Sequence, residues 1–259
     1  MDDKEELTSR QKEILNRVIE SYIATTLPVG SKTLAERYEL ALSPASVRHE
    51  MGILEEQGYL THPHPSAGRV PTDKGYRFYV REGVTEEPVS DEFLSLVTRE
   101  MKGRIENLES LMTRVSHLLS AMAEEAVLLV SPKLREESVP HWGMPRLFVE
   151  GSRYILNQPE FQDLKKIQLL ITALEEKSNL IELLMDQLQE GKVHVAIGEK
   201  ELSKEIWDCS LVSAPYGWHG KYVGAVGILG PRRMPYGRMM GLVHQMAEEI
   251  GQALARWGS

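Results

Sequence analysis

The residues whose types and spacing point most directly to a chemistry are Arg48 and His49, near the start of a predicted helix. A guanidinium can form paired hydrogen bonds with guanine or a single contact with a phosphate, and an imidazole can read a base edge or stay solvated. Side chains near a helix start reach base edges when that helix enters a major groove. We therefore interpret Arg48 as a base contact rather than a phosphate contact, and both interpretations stay open for His49.

The helix that would position these side chains starts after Ser43 and ends near Gly58. Ser43 can accept hydrogen bonds from free N–H groups of the first turn, with donation to a phosphate as a secondary role, and Pro44 suits the next position. Apolar residues at helical spacing predict an inner face, and small outward residues near the start allow close approach to a binding partner. The inner residues are Val47, Met51 and Leu54, and the outward residues include Ala45, Ser46, Arg48 and His49.

A short hairpin is predicted after this helix. Two extended segments, starting near Tyr59 and Arg69, flank a loop rich in proline and glycine that contains Ser66. Because this loop is exposed, Arg69 is predicted to contact a phosphate or the minor groove rather than to form a core ion pair. A helix able to enter the major groove, followed by a hairpin with a basic residue, is typical of a winged helix-turn-helix.

Two helices are predicted before the recognition helix. The first starts near Thr8, which has capping-box spacing to Gln11, and the second runs from about Ser31 to Tyr38. Free N–H groups at the start of the second helix suit a phosphate, and Lys32 and Thr33 lie in that turn.

The charge of the chain is unevenly distributed. The 259 residues carry a net charge of −8, yet ten basic and eight acidic residues between Ser9 and Arg81 give that segment +2. A slightly basic segment on an acidic chain suits local phosphate contact and discourages indiscriminate nucleic-acid binding. The single cysteine suits a reducing cytoplasm, and we expect neither a signal peptide nor a membrane span.

A long linking helix is predicted after a linker from Gly83 to Ser90. Apolar residues recur at alternating three- and four-residue spacing over about four heptads, roughly 42 Å of helix. Because one winged helix offers few DNA contacts, we interpret this seam as a dimer interface, and a helix lying on its own domain is the alternative. The seam residues are Leu94, Val97, Met101, Leu108, Leu111, Val115, Leu118 and Met122.

The rest of the chain mixes strands and helices, which predicts an α+β domain. Two helices are predicted between Gln158 and Leu188, with a break near Lys177, and one from Pro235 to Trp257. Lys133 to Pro145 is predicted to be irregular. The predicted strands are Ala126–Val130, Arg146–Glu150, Val193–Ile197, Ser210–Ala214 and Tyr222–Leu229.

Other chemistries have weaker support. Cys209 has His194 and His219 nearby in sequence, but no base and orienting group can be placed around it, so a buried inert thiol is predicted. His62 and His64 are too few for a metal site, and no GxxxxGK[ST] phosphate loop occurs. No catalytic residue, metal or cofactor is expected, although a pocket in the α+β domain could hold a small molecule that no pattern names.

Several longer segments carry a family resemblance. The earlier ones are Pro28-Val29-Gly30-Ser31-Lys32-Thr33-Leu34, Arg48-His49-Glu50-Met51 and the run from Ser66-Ala67-Gly68-Arg69-Val70-Pro71-Thr72 to Gly75-Tyr76-Arg77-Phe78-Tyr79-Val80. The later ones include Asn157-Gln158-Pro159-Glu160-Phe161 and Ser213-Ala214-Pro215-Tyr216. With these motifs the chain resembles the HrcA family of bacterial heat-inducible transcription repressors.

The resemblance implies a dimeric repressor with an N-terminal winged helix and a C-terminal GAF-like domain. It also implies binding to the inverted-repeat operator called CIRCE, ahead of chaperone genes, and dependence on a GroEL-type chaperonin for activity. The family usually has asparagine where His49 stands, and it carries a long inserted segment where this chain has only Lys133–Pro145. The chain therefore looks like a shortened member.

The sequence thus predicts an α+β protein with a winged-helix DNA-binding domain at 1–82, a linker and dimerisation helix at 83–125, and a GAF-like regulatory domain at 126–259. Its predicted partners are double-stranded DNA, a second copy of the chain and a GroEL-type chaperonin. Two alternatives are a shortened module that binds chaperonin or a full-length relative, and a ligand-sensing regulator of other genes.

Overall fold

The computed structural model describes residues 7–38, 42–64, 67–102, 108–131, 145–186, 191–198 and 202–257. The chain divides into two compact units, here called the head, Met1–Thr85, and the body, Glu86–Ser259. Residues 86–125, predicted to form a separate linking segment, therefore belong to the body.

The head is built from short helices around one apolar core. They are α1 (Ser9–Thr25), α2 (Ser31–Arg37), α3 (Pro44–Glu56) and α4 (Asp73–Gly83). The first helix starts at the predicted place because Thr8 and Gln11 form a reciprocal capping box. Side chains from all of these helices are buried together, among them Ile14, Leu15, Val18, Leu34, Val47, Leu54, Tyr76 and Phe78.

The predicted hairpin is present as strands β1 (Leu60–Thr61) and β2 (Val70–Pro71), which pair antiparallel. A third segment joins them, because Val29 and Arg69 exchange two backbone hydrogen bonds of 2.8 and 2.9 Å. Gly68 permits this approach, since a Cβ there would lie 2.5 Å from the carbonyl carbon of Val29. The base of the hairpin is thus fixed to the connection between α1 and α2.

The body contains a sheet with helices packed on both sides. Its strands are β3 (Ala126–Val130), β4 (Leu147–Glu150), β5 (His194–Ile197), β6 (Cys209–Trp218) and β7 (Lys221–Pro231). Its helices are α5 (Asp91–Lys102), α6 (Leu108–Ala123), α7 (Ser152–Leu156), α8 (Leu164–Glu175), α9 (Lys177–Asp186) and α10 (Tyr236–Trp257). The strands predicted from the sequence are all found: β3 has its predicted ends, and the other strands differ from the prediction by one to four residues at one or both ends.

The strand order is β4-β3-β7-β6-β5, and each described pairing is antiparallel. One face packs on α8 and α9, where Leu128 shares a core with Leu170 and Leu184. On the other face the Tyr216 hydroxyl donates a 2.5 Å hydrogen bond to the carbonyl of Val130, close to α6. Both faces are covered, which explains why β3 is apolar along its whole length. This arrangement is the predicted GAF-like α+β domain.

The predicted linking helix corresponds to α5 and α6, and residues 103–107 between them lie outside the described part of the chain. Both helices pack on α10 and on each other. Val97 and Met101 are 0% and 3% exposed, and Leu111 and Val115 are 1% and 2% exposed. These four side chains form part of the body's own core, as in the alternative of a helix lying on its own domain, and a dimer interface along the seam stays a prediction. The remaining seam residues are half-buried: Leu94, Leu108, Leu118 and Met122.

The predicted linker is held against α10 where it enters the body. The Glu87 N–H donates a 2.9 Å hydrogen bond to the carbonyl of Gly237. A Cβ at Gly241 would lie 2.0 Å from the Glu87 carbonyl oxygen, so only glycine permits this contact. The Glu86 carboxylate contacts the His244 ring and raises the pKa of His244.

Candidate nucleic-acid interface

The α3 helix turns the residues predicted to meet DNA toward solvent. The Ser46 N–H donates a 3.1 Å hydrogen bond to the Ser43 hydroxyl, which caps the helix as predicted. The apolar residues predicted to face inward are buried. Because that face is fixed in the core, the opposite face is exposed, and it carries Ala45, Ser46, Arg48 and His49.

Arg48 and His49 are exposed, and neither has a hydrogen bond or ion pair with another residue in the described part of the chain. Two other arginines of the head differ in this respect, since Arg17 lies 2.9 Å from Glu20 and Arg10 lies 3.7 Å from Glu50. The Arg48 guanidinium can therefore bind an external acceptor without breaking an internal contact.

The first turn of α2 exposes Lys32 and Thr33. The Lys32 ammonium lies 3.9 Å from the Glu36 carboxylate, and both side chains are mostly exposed. Such surface pairs contribute little stability, so Lys32 can exchange this partner for a phosphate at small cost. Phosphate contact by Lys32 and Thr33 stays a prediction.

The wing, defined as the described residues 60–64 and 67–71, is attached to α3 through one carboxylate. The Arg69 guanidinium lies 2.6 Å from the Glu55 carboxylate, and the two side chains are 25% and 24% exposed. The His62 ring contacts the other oxygen of the same carboxylate. Arg69 is therefore in a half-buried ion pair, which the sequence interpretation had set aside in favour of a phosphate or minor-groove contact. Ser66, the other predicted wing residue, lies outside the described residues.

Glu55 was not identified from the sequence. It follows Arg48 by seven residues, or about two turns, so both residues lie on one side of α3. That spacing is a weak signal, and no local pattern connects Glu55 to Arg69.

A cleft of about 360 Å³ separates the start of α2, the middle of α3 and the wing. It brings together backbone groups, one apolar side chain from α3 and both candidate arginines. A cleft of this kind can accept a group from a ligand that lies across α3 and the wing. Its lining residues are Val29, Gly30, Ser31, Arg48, Met51, Ala67, Gly68 and Arg69.

The structure also bears on thiol chemistry, metal binding and membrane insertion. Cys209 is 1% exposed, and burial, followed by the nearby Asp208, raises the pKa of its thiol, so the prediction of a buried thiol is confirmed.

No three His, Cys, Asp or Glu side chains within the described ranges are grouped to hold a metal ion. Over the same ranges, we find no helix with the length and apolar character needed to cross a bilayer.

A second cavity, of about 470 Å³, lies in the body between β6 and α10. Its lining mixes the carboxylates of Glu86 and Glu248 with the His244 imidazole, the Tyr222 ring and apolar side chains. This mixture favours no single class of ligand.

The body also buries a polar cluster that the sequence analysis did not identify as such. Glu125 is 6% exposed, and the Gln158 amide donates a 3.3 Å hydrogen bond to its carboxyl group. Burial raises the pKa of Glu125 to about 8, although the positive charge of Arg233 acts in the opposite direction. Arg233 in turn donates to Gln158 and Glu160 at 2.7 and 2.5 Å.

Two family models match the chain. The model described as "Winged helix-turn-helix transcription repressor, HrcA DNA-binding" matches residues 6–84. The model described as "HrcA protein C terminal domain" matches residues 141–240. The first match coincides with the head, and the second lies within the body.

Full-length relatives agree with these matches. "Heat-inducible transcription repressor HrcA" of Natranaerobius thermophilus is 30% identical over 336 aligned positions, which cover 96% of this chain and 97% of the relative. The protein of the same name from Desulforudis audaxviator is 28% identical over 339 positions, covering 96% and 98%. Because the alignments are longer than the 259 residues of the chain, the relatives contain residues without a counterpart here.

The fold of this chain is similar to that in a crystal structure of a hypothetical protein. The TM-score is 0.75 at 18% sequence identity, and the match covers 97% of this chain and 99% of that one. This similarity concerns the fold alone.

Proposed function

Because this chain belongs to the HrcA family of heat-inducible transcription repressors, we propose that it represses heat-shock chaperone genes in the cytoplasm by binding an inverted-repeat operator of the CIRCE type as a dimer. In this proposal α3 enters the major groove and the wing lies along the sugar-phosphate backbone.

The observation that carries the proposal is that α3 has a packed inner face and an exposed outer face with side chains free to bind. Its inner face is fully packed, whereas Arg48 and His49 are exposed and have no partner among the described residues. An unpaired arginine close to a helix start is well placed for bidentate contact with guanine. Lys32 and Thr33 at the exposed start of α2 would add backbone contacts that fix the position of the head.

Dimerisation follows from the limited contact area of one head. A single winged helix contacts few base pairs, and a two-fold dimer matches an inverted repeat by placing one α3 in each half-site. The half-buried Leu94, Leu108, Leu118 and Met122 on α5 and α6 are the seam residues still available to a second copy.

A GroEL-type chaperonin would modulate the repressor, so that unfolded proteins which occupy the chaperonin relieve repression. Exposed apolar side chains in the body support this part of the proposal, because chaperonin binding requires accessible apolar surface. Leu164, Leu169 and Ile171 on α8 are 75%, 40% and 40% exposed, and Trp207 is 40% exposed.

A titration of the whole chain with DNA tests this function. We expect the inverted repeat to bind at least roughly 10³-fold more tightly than a scrambled duplex at the same salt concentration. Chaperonin should increase the active fraction, and added unfolded protein should reverse that increase.

The alternatives predict different results. Chaperonin binding without any preference for the inverted repeat would identify an interaction module. Selective capture of unrelated promoter fragments would identify a regulator of other genes.

A further inference from the structure

We propose that Glu55 is a positioning residue for DNA recognition: it holds the wing at a fixed place relative to α3 and thereby sets the specificity of the head. This inference rests on the proposed function, because it assumes that α3 and the wing contact the same DNA.

The first argument is the connectivity of the Glu55 carboxylate. One oxygen lies 2.6 Å from Arg69, which directly precedes β2, and the other contacts the ring of His62, which directly follows β1. A single side chain of α3 thus contacts both arms of the hairpin. Rotation of the wing about its base would break at least one of these contacts.

The second argument is burial. The Glu55 and Arg69 side chains are 24% and 25% exposed, whereas the Lys32 and Glu36 pair on α2 is 79% and 66% exposed. Charge-assisted hydrogen bonds have a more defined geometry than neutral ones. When the pair is half-buried, solvent and salt screen the attraction between its charges less. The Glu55–Arg69 pair is therefore suited to fix the position of the wing relative to α3. A fully exposed ion pair would fix that position less well.

The third argument is that Arg69 is held from two directions. Its backbone forms two hydrogen bonds with Val29, and its side chain binds Glu55. The wing base, the α1–α2 connection and α3 are therefore joined at one residue. Without Glu55 the backbone contacts would remain, but the guanidinium would no longer have a fixed direction.

The position of Glu55 on α3 connects its contacts with the wing to base recognition by Arg48. Arg48 and Glu55 lie about two turns apart on the same side of the helix, and the cleft of about 360 Å³ lies between Arg48 and the wing. Glu55 therefore determines how far the base-reading end of α3 lies from the wing that it anchors. DNA bound in the correct register must contact the base-reading end of α3 and the wing at the same time.

Glu55→Gln tests the inference, with Glu56→Gln as the matched control. Glu56 is the next residue on α3, is exposed, and has no hydrogen bond or ion pair within the described part of the head. Both variants remove one negative charge near DNA, which should tighten binding to the inverted repeat and to random duplex alike. We expect Glu56→Gln to leave the ratio of the two affinities unchanged and Glu55→Gln to lower that ratio roughly threefold to tenfold.

Two further variants separate positioning from simple loss of stability. Glu55→Asp keeps the charge and should restore part of the ratio. In an Arg69→Gln, His62→Gln background Glu55→Gln should change the ratio little, because the carboxylate then has neither of its wing partners. A ratio that falls equally with and without these two partners would overturn the inference, as would a fall that thermal unfolding attributes entirely to unfolded protein.

The outcomes also distinguish this inference from the proposed function. Wild-type protein that fails to prefer the inverted repeat would overturn both. A wild-type preference that persists unchanged in Glu55→Gln would overturn the role of Glu55 alone.

Discussion

At the scale of single residues, Arg48 provides the most direct test of base recognition. We expect Arg48→Ala to cost about 1–3 kcal/mol of binding free energy on the operator and to relax the choice at one base pair. Arg37→Ala is a suitable control, because it removes the same charge from an exposed position at the end of α2. Competition binding against single-base operator variants measures the effect. Equal losses on operator and random DNA would show that Arg48 contacts only phosphate.

Glu125 leads to a prediction about stability and pH. Its pKa is raised from 4.5 to about 8 by burial, so the folded protein holds this proton more tightly than the unfolded chain does. The corresponding stabilisation is complete below pH 4.5 and is lost as the pH rises toward 8.

Glu125→Gln should therefore flatten the pH dependence of thermal unfolding over this interval and raise stability at pH 8 by about 1–3 kcal/mol. Glu175→Gln, at an exposed position at the end of α8, is the control, because its charge is not among those that shift the pKa of Glu125. An identical pH profile for wild type and Glu125→Gln would mean that the carboxyl group titrates normally.

At the scale of elements, α3 contains a glycine that its own structure does not explain. Nothing lies within 4 Å of a Cβ built at Gly52, which follows Arg48 by one turn. Glycine inside a helix costs about 1 kcal/mol relative to alanine. We expect the advantage of glycine at this position to be a close approach of α3 to DNA.

Gly52→Ala should raise the free energy of unfolding by about 0.5–1 kcal/mol and yet weaken operator binding several-fold. Gly83→Ala at the end of α4 is the control. A Cβ there would lie 3.5 Å from the Asn16 side chain, which is an ordinary van der Waals distance. Thermal unfolding and operator titration of both variants measure the two effects. If Gly52→Ala binds the operator as well as wild type, this face of α3 does not approach DNA closely.

Elements also show where periodicity misleads. The heptad spacing from Leu94 to Met122 predicted helices correctly, but an apolar stripe carries no information about which surface covers it. In the structure α5 and α6 pack on α10 and on each other, and Val97 and Leu111 belong to the body core. By contrast, β3 was predicted with its observed ends, because a short run of five consecutive apolar residues is typical of a buried strand.

At the scale of the whole molecule, the proposed dimer implies a fixed distance between two heads. Inserting about five base pairs between the half-sites rotates one of them by half a turn of DNA. We expect this insertion to remove most of the operator affinity, and the same insertion outside the repeat to have no effect. Footprinting and titration of both duplexes measure this. Unchanged binding to separated half-sites would show that each head binds independently.

The sequence by itself determined the features that depend on near neighbours along the chain. Thr8 and Ser43 cap their helices because a capping side chain reaches only the next turn, and the apolar spacing of α3 fixes which side of it is exposed. Only the tertiary structure decided that Arg69 binds Glu55, that α5 and α6 pack on α10, and that Glu125 is buried near Arg233. These contacts join residues far apart in sequence, and they depend on how whole elements pack, which no local spacing encodes.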